Sequence, residues 1–146
     1  MGNTGTATAS VTNIDKVAPT ATISYNITGL TNQDVVATLT NASETITGTT
    51  SYTFTGNGSY TFIFKDLAGN SAVATGVVTW IDKTPVVGAI SYSTTGLTNG
   101  NVTATVTFNK TGVTVTNNGG ATGYVFTNTG SFTFSFQDAY GNTGST

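Results

Sequence analysis

The stretch GSYTFIFKDLAGN (58–70) returns as GSFTFSFQDAYGN (130–142), and its reading decides the fold. In each copy an aromatic side chain falls on every second position: Tyr60, Phe62 and Phe64 first, then Phe132, Phe134 and Phe136. Thr133 and Ser135 stand between the later three. Successive side chains of a β-strand point to opposite faces of its sheet, so this period of two marks a half-buried strand. The Asp-x-x-Gly-Asn that closes each copy supplies the residues of a tight turn: an acceptor side chain, then a glycine free to take positive φ.

Two further pairs extend the repetition. VTNIDK (11–16) returns as VTWIDK (78–83), and ISYNITGLTN (23–32) as ISYSTTGLTN (90–99). Both are displaced by 67 positions (78 − 11 and 90 − 23), whereas the aromatic stretches are displaced by 72 (130 − 58). The difference falls around VTNNGGATG (115–123), which reads as a lengthened surface loop. NVTATVTF (101–108) again alternates, with Val102, Ala104, Val106 and Phe108 set against Thr103, Thr105 and Thr107. In the first copy strands are expected near 20–25, 34–41, 45–48, 49–55, 59–65 and 72–81, and the second follows the same plan. No stretch has a helical period. Short strands and frequent turns in units of about 70 residues predict an all-β chain of two tandem Greek-key β-sandwich repeats.

Composition removes several functions. The chain has 146 residues, 7% of them charged, with four basic against six acidic side chains. Nucleic-acid binders concentrate positive charge to neutralise phosphates, and no such concentration exists here. The absence of cysteine and histidine removes disulfides, thiolate nucleophiles, imidazole bases and the usual zinc ligands. No apolar run approaches the roughly 20 residues of a membrane span, so no membrane insertion is expected in this segment. Hydrophobic residues make up 37% of the chain, enough for a packed core.

The register of the repeat predicts the domain organisation. GNTGTATASVTNIDK (2–16) aligns with GNSAVATGVVTWIDK (69–83), the last strand of the first repeat and the linker after it. Residues 1–16 thus read as the last strand of a preceding repeat, a candidate donor strand. Residues 17–83 form the first repeat, and 84–146 the second, lacking its final strand in cis. One reading is donation in trans, where the strand of one copy completes the edge of the next and generates a fibre. The other is that the chain is a piece of a longer tandem array. Both remain open on sequence grounds.

Four acids recur in register: Asp15 with Asp82, and Asp66 with Asp138. A sandwich of this kind brings the incoming linker and the loop between its last two strands to one pole. Asp15, Glu44, Asp66 and Asn70 then gather at the first pole, and Asp82, Asp138 and Asn142 at the second. Such oxygen ligands suit calcium, a hard cation that takes 6–8 of them. The competing reading makes each Asp-x-x-Gly-Asn a turn whose aspartate accepts backbone N–H bonds. Lys110 stands near the place of Glu44 in the second repeat, which favours metal at the first pole over the second. Lys16 and Lys83 fall near Asn70 and Asn142, but lack the apolar setting that activates a lysine for crosslinking. The acids lie in turn motifs and nothing singles out an activated serine, so catalytic residues are not expected and the chain does not read as an enzyme.

IDKVAP (14–19), IDKTPV (81–86) and the F-x-D-x-x-G-N of both repeats resemble, across nearly the whole chain, the bacterial Ig-like repeats of large adhesins and cell-surface proteins. The resemblance implies immunoglobulin-like sandwiches, an extracellular or cell-surface location, and a structural role as spacer or fibre-forming module. It also implies calcium at domain junctions, and other copies of the chain or neighbouring Ig-like repeats as partners. The alternative within the same family is an adhesin module that binds a host or glycan ligand through loops such as 115–123. The proline of IDKTPV comes one place early, which predicts a different conformation for the second linker.

Overall fold

A computed structural model describes residues 1–146, and it is all-β. The first repeat carries β1 (Thr22–Tyr25), β2 (Val35–Thr40), β3 (Thr47–Gly48), β4 (Ser51–Phe54), β5 (Gly58–Lys65) and β6 (Ser71–Val78). The second carries β7 (Gly88–Tyr92), β8 (Val102–Phe108), β9 (Thr114–Val115), β10 (Gly123–Phe126), β11 (Ser135–Gln137) and β12 (Thr143–Ser145). These twelve strands form four three-stranded sheets, ordered β1-β2-β4 and β3-β5-β6, then β7-β8-β10 and β9-β11-β12. The strand order of the first repeat is thereby reproduced in the second. By internal contacts the chain divides into two compact units, residues 1–24, 37–52 and 59–76 in one and residues 25–36, 53–58 and 77–146 in the other.

Alternation produces these strands. In β2, Val35, Ala37 and Leu39 are buried while Val36, Thr38 and Thr40 are half-buried. In β8, Ala104 and Val106 face inward, and the strand pairs antiparallel with β7 through Ile90–Val106 and with β10 through Tyr124–Ala104. Phe62 and Phe64 of the first repeat, like Phe134 and Phe136 of the second, are completely buried. Tyr52 stacks on Tyr60 at 3.8 Å between ring centroids, and Tyr124 stacks on Phe132 at 3.9 Å, each at an interplanar angle of 11°. Tyr60 in turn meets Phe62 edge-on at 4.9 Å, and Phe132 meets Phe134 at 5.0 Å. Ring pairs of this kind add about 0.5–1.5 kcal/mol beyond the area they bury.

The second repeat differs where its sequence does. Phe108 extends β8 by a residue and lays its ring 4.9 Å from that of Phe136. The corresponding place in the first repeat is held by Asn41, a non-glycine residue at φ 49°. The extra ring is accommodated by glycine at two positions where the first repeat has Ala21 and Ala72. A Cβ on Gly88 would lie 2.9 Å from the Phe136 ring, and one on Gly144 would lie 2.5 Å from it.

The linkers are alike despite the displaced proline. The carboxylate of Asp15 accepts the N–H of Val17 at 2.9 Å, and that of Asp82 accepts the N–H of Thr84 at 2.7 Å. Pro19 is buried in the first repeat, and Val86, 67 positions on (86 − 19), is buried in the second. The inward position is conserved between repeats while the residue filling it changes, so the different conformation expected for the second linker does not arise at this turn.

Residues 1–21 belong to no strand, and the stretch 1–18 is exposed throughout. The second contrast lies at 130–134. GSYTFIFK forms an eight-residue strand in the first repeat, but of GSFTFSFQ only Ser135–Gln137 is in a strand. Thr146 exchanges both backbone hydrogen bonds with Phe134, at 3.0 and 3.1 Å, and no strand of the chain lies beside Gly130–Thr133.

Candidate cation poles and an open strand edge

Each Asp-x-x-Gly-Asn forms the same turn. Gly69 and Gly141 take φ of 95° and 90°, a region closed to most L-residues. The carboxylate of Asp66 accepts the Asn70 backbone N–H and its side-chain amide N–H, both at 2.8 Å. Asp138 does the same with Asn142, at 2.9 Å for both bonds. The same amide nitrogen reaches the linker, since Asn70 donates to the Asp15 carbonyl at 3.3 Å and Asn142 to the Asp82 carbonyl at 2.9 Å. The asparagines therefore tie turn to linker through their nitrogens.

At the first pole this brings together Asp15, Glu44 and Asp66, with one carboxylate oxygen of each within 4.8 Å of the others. Asp66 is buried and held below its ordinary value, the hydrogen bonds from Asn70 overcoming the opposing effect of burial. Glu44 is pushed up, by desolvation first and then by the charges of Asp66 and Asp15. Three acids thus face one another without a positive side chain among them.

The second pole has that positive charge. Ser43 and Thr20 exchange hydrogen bonds in the first repeat, and Asn109 and Val87 exchange the same pair in the second. Lys110, following Asn109, therefore stands where Glu44 follows Ser43. Its ammonium lies 2.7 Å from Asp138, 3.1 Å from Asp82 and 2.7 Å from the Thr84 carbonyl. Its side chain is 18% exposed and that of Asp138 only 2%. Asp138 is held far below its ordinary value, Lys110 and Asn142 outweighing the effect of burial, while Asp82 is lowered by Thr84 and then by Lys110. Lys110 is raised, chiefly by Asp138. The two poles share one geometry around a cation position, filled in the second by an ammonium group and surrounded in the first by carboxylates. The residues of the first pole fit a metal ion, whereas at the second a lysine already neutralises the pair.

Lys83, in the linker between the repeats, pairs with Asp34 and not with Asn142. Trp80 packs against the end of β1 and the residues after it: its ring meets Tyr25 edge-on at 5.3 Å, and its indole N–H donates to the Ile27 carbonyl at 3.1 Å. The lengthened loop is tied inward. Asn117 donates to the Thr133 carbonyl and accepts the Ser135 N–H, while Asn118 donates to the carbonyls of Ala121 and Gly123.

A cleft of about 570 Å³ opens in the second repeat, lined by residues that include Ile90, Tyr92, Val102, Ala104, Phe126 and Phe132. Several counterparts in the first repeat are better covered. Val35 and Phe54 are buried where Val102 and Phe126 are half-buried, and Thr31 is buried where Thr98 is exposed. The covering residues lie at the end of β6 and just after it: Val78 is 0% exposed and Ile81 6%. Thr31 donates to the Trp80 carbonyl and accepts the Asp82 N–H, both at 3.0 Å, while Ile81 donates to Asn57 at 2.8 Å. The repeat register leaves the final strand of the second repeat missing, whereas β12 (Thr143–Ser145) pairs with β11 and begins that strand; the Lys83–Asp34 pair and the Thr31 bridge carry no repeated signal that could have revealed them. No helix is long and apolar enough to cross a membrane. No protein-family model, characterised protein or solved structure matches the chain.

Proposed function

We propose that this chain is a structural, non-catalytic module of a bacterial surface protein, two immunoglobulin-like Greek-key sandwiches in tandem acting outside the cell as a spacer or fibre subunit. It joins other copies or neighbouring Ig-like repeats head to tail by strand donation, and the Asp15–Glu44–Asp66 pole holds calcium that stiffens the entry to the first repeat. The observation that carries this reading is a mismatch between two copies of nearly the same sequence. Val78 and Ile81 close the first repeat, while Val11 and Ile14, in the same sequence context, are 68% and 70% exposed. An apolar segment without a seat and an apolar seat without a segment occur together in one chain, and burial of both is favourable.

The recurring acids support a structural role, since each serves a turn or a linker. The adhesin alternative has little to display: the loop near 115–123 turns its asparagines inward, and Tyr124 is stacked on Phe132. Sedimentation velocity across a wide concentration range tests the reading. The expected result is a series of species that lengthens with concentration, because a head-to-tail contact does not close on itself. A single monomeric species at every concentration contradicts it.

A further inference from the structure

We propose that Asn99 is a site of spontaneous covalent modification, its side-chain amide being lost through a cyclic imide closed by the backbone nitrogen of Gly100. This goes beyond the structural role above and does not depend on how copies of the chain are joined. The chain contains three Asn-Gly pairs, Asn57-Gly58, Asn99-Gly100 and Asn118-Gly119. Asparagine is among the chemically labile residues, and a glycine after it carries no side chain to obstruct attack by its own nitrogen. In the reaction the Gly100 nitrogen gives its proton to hydroxide and bonds to the side-chain carbonyl carbon of Asn99. The Asn99 amide nitrogen takes up a proton and leaves as ammonia, which closes the ring. Water then opens the ring at either carbonyl, giving aspartate or, with the main chain rerouted through the side chain, isoaspartate. One water is consumed and one ammonia released, with no oxidation or reduction.

The fold separates the three pairs. The side-chain oxygen of Asn57 accepts the Ile81 N–H at 2.8 Å, and Gly58 opens β5. Asn118 is half-buried, and its amide donates to the carbonyls of Ala121 at 3.0 Å and Gly123 at 2.9 Å. Loss of that amide would set a carboxylate against two carbonyl oxygens, so the product is disfavoured along with the approach to it. Asn99 has none of these restraints. Its side chain is exposed and makes no hydrogen bond, and the residue lies outside every strand. The attacking nitrogen is held only by a bond to the Thr98 hydroxyl two residues back, 3.0 Å long and open to water. The carboxylate produced would be the only charged side chain among those that line the cleft of the second repeat, so the reaction changes the surface that cleft presents.

The test uses the full chain and trypsin, since the basic residues are four lysines without an arginine. Cleavage after Lys16, Lys65, Lys83 and Lys110 puts Asn57 in 17–65, Asn99 in 84–110 and Asn118 in 111–146. The folded chain is incubated in mildly alkaline buffer and digested, and each peptide is examined for the gain of about one dalton that marks an amide turned to acid. Fragmentation of the peptide distinguishes Asn99 from Asn101 and Asn109. Conversion at Asn99 is expected to run roughly tenfold or more ahead of that at Asn57 and Asn118, the factor in rate that one protecting hydrogen bond supplies. In concentrated urea, where those bonds are gone, the three should convert at comparable rates. Gly100→Ala should slow Asn99 in the folded chain without disturbing it, because the added carbon meets nothing nearer than the Thr98 hydroxyl at 3.5 Å. Conversion led by Asn57 or Asn118, an Asn99 lead that persists undiminished in urea, or a Gly100→Ala chain that converts as fast as the natural one overturns the proposal.

Discussion

Replacing Lys110 with methionine lowers the melting temperature by about 4–8 °C, the shift a small domain shows for a modest loss of stability. Methionine matches the length and apolar stem of lysine but leaves Asp138, whose side chain is 2% exposed, without its positive partner. The dependence on pH locates the effect. The folded state holds Asp138 below its ordinary value of 3.8, so the stability it contributes is present above that value and is lost as pH falls further. Lys110 is raised above its ordinary 10.5, so its contribution is present below that value and disappears as pH rises past it. The natural chain should therefore melt later than the methionine variant from about pH 5 to pH 10, the two curves converging at both extremes. The first pole supplies the converse experiment. With an affinity of about 10⁻⁴–10⁻³ M, usual for extracellular modules, ~10 mM calcium should raise the melting temperature by about 6–20 °C. Glu44→Gln removes that response and, by relieving repulsion from Asp66 and Asp15, stabilises the metal-free chain. Lys110→Glu should transfer a calcium response to the second pole. A melting temperature indifferent to calcium and chelator removes the metal from the account.

Gly144→Ala destabilises the second repeat by about 1–3 kcal/mol, the cost of forcing a methyl group into a filled core. The added carbon would lie 2.5 Å from the Phe136 ring and 2.7 Å from the Val86 carbonyl oxygen, and the backbone atom has little freedom to retreat. The first repeat tolerates Ala72 at this place because Asn41, and not a phenylalanine, stands at the position of Phe108. Phe108→Ala should therefore recover part of the loss in the double variant by letting the Phe136 ring move aside. Urea denaturation of the four members of that cycle measures the coupling, which for residues in contact is about 0.5–3 kcal/mol. Strict additivity would mean that Gly144 and Phe108 were not exchanged for each other's sake.

The strands and the repeat were legible because both rest on periodicity. Phe132, Phe134 and Phe136 alternate as clearly as Tyr60, Phe62 and Phe64, and the two sets are placed alike in their cores. Alternation specifies a face, however, and not a neighbour. Residues 130–133 have the pattern of a strand and yet are in none, because a strand needs hydrogen bonds from a partner. The poles were legible only in outline. Recurrence brought Asp66 to Asp15 and Asp138 to Asp82, as the shared turn requires. That Lys110 stands near the place of Glu44 was legible from the repeat, but the contacts it makes there were not, since they depend on the one-residue extension of β8 by Phe108 that the Ser43–Thr20 and Asn109–Val87 bonds reveal. The proline of IDKTPV misled for the opposite reason. The conformation there is set by the Asp82–Thr84 turn and the inward side chain of Val86, neither of which depends on where the proline falls.

The central claim is that a neighbour's N-terminal segment completes the second repeat, and amide hydrogen exchange reads it directly. The backbone of Gly130–Thr133 lacks a strand partner in the single chain, whereas Gly58–Thr61 lies within β5. Measured over a dilution series, the amide of Phe132 and alternate amides between residues 9 and 15 should gain protection together as concentration rises, while Tyr60 remains protected throughout. Unchanged, rapid exchange at Phe132 and at every amide between residues 9 and 15, at concentrations where the chain is fully assembled, would contradict strand donation.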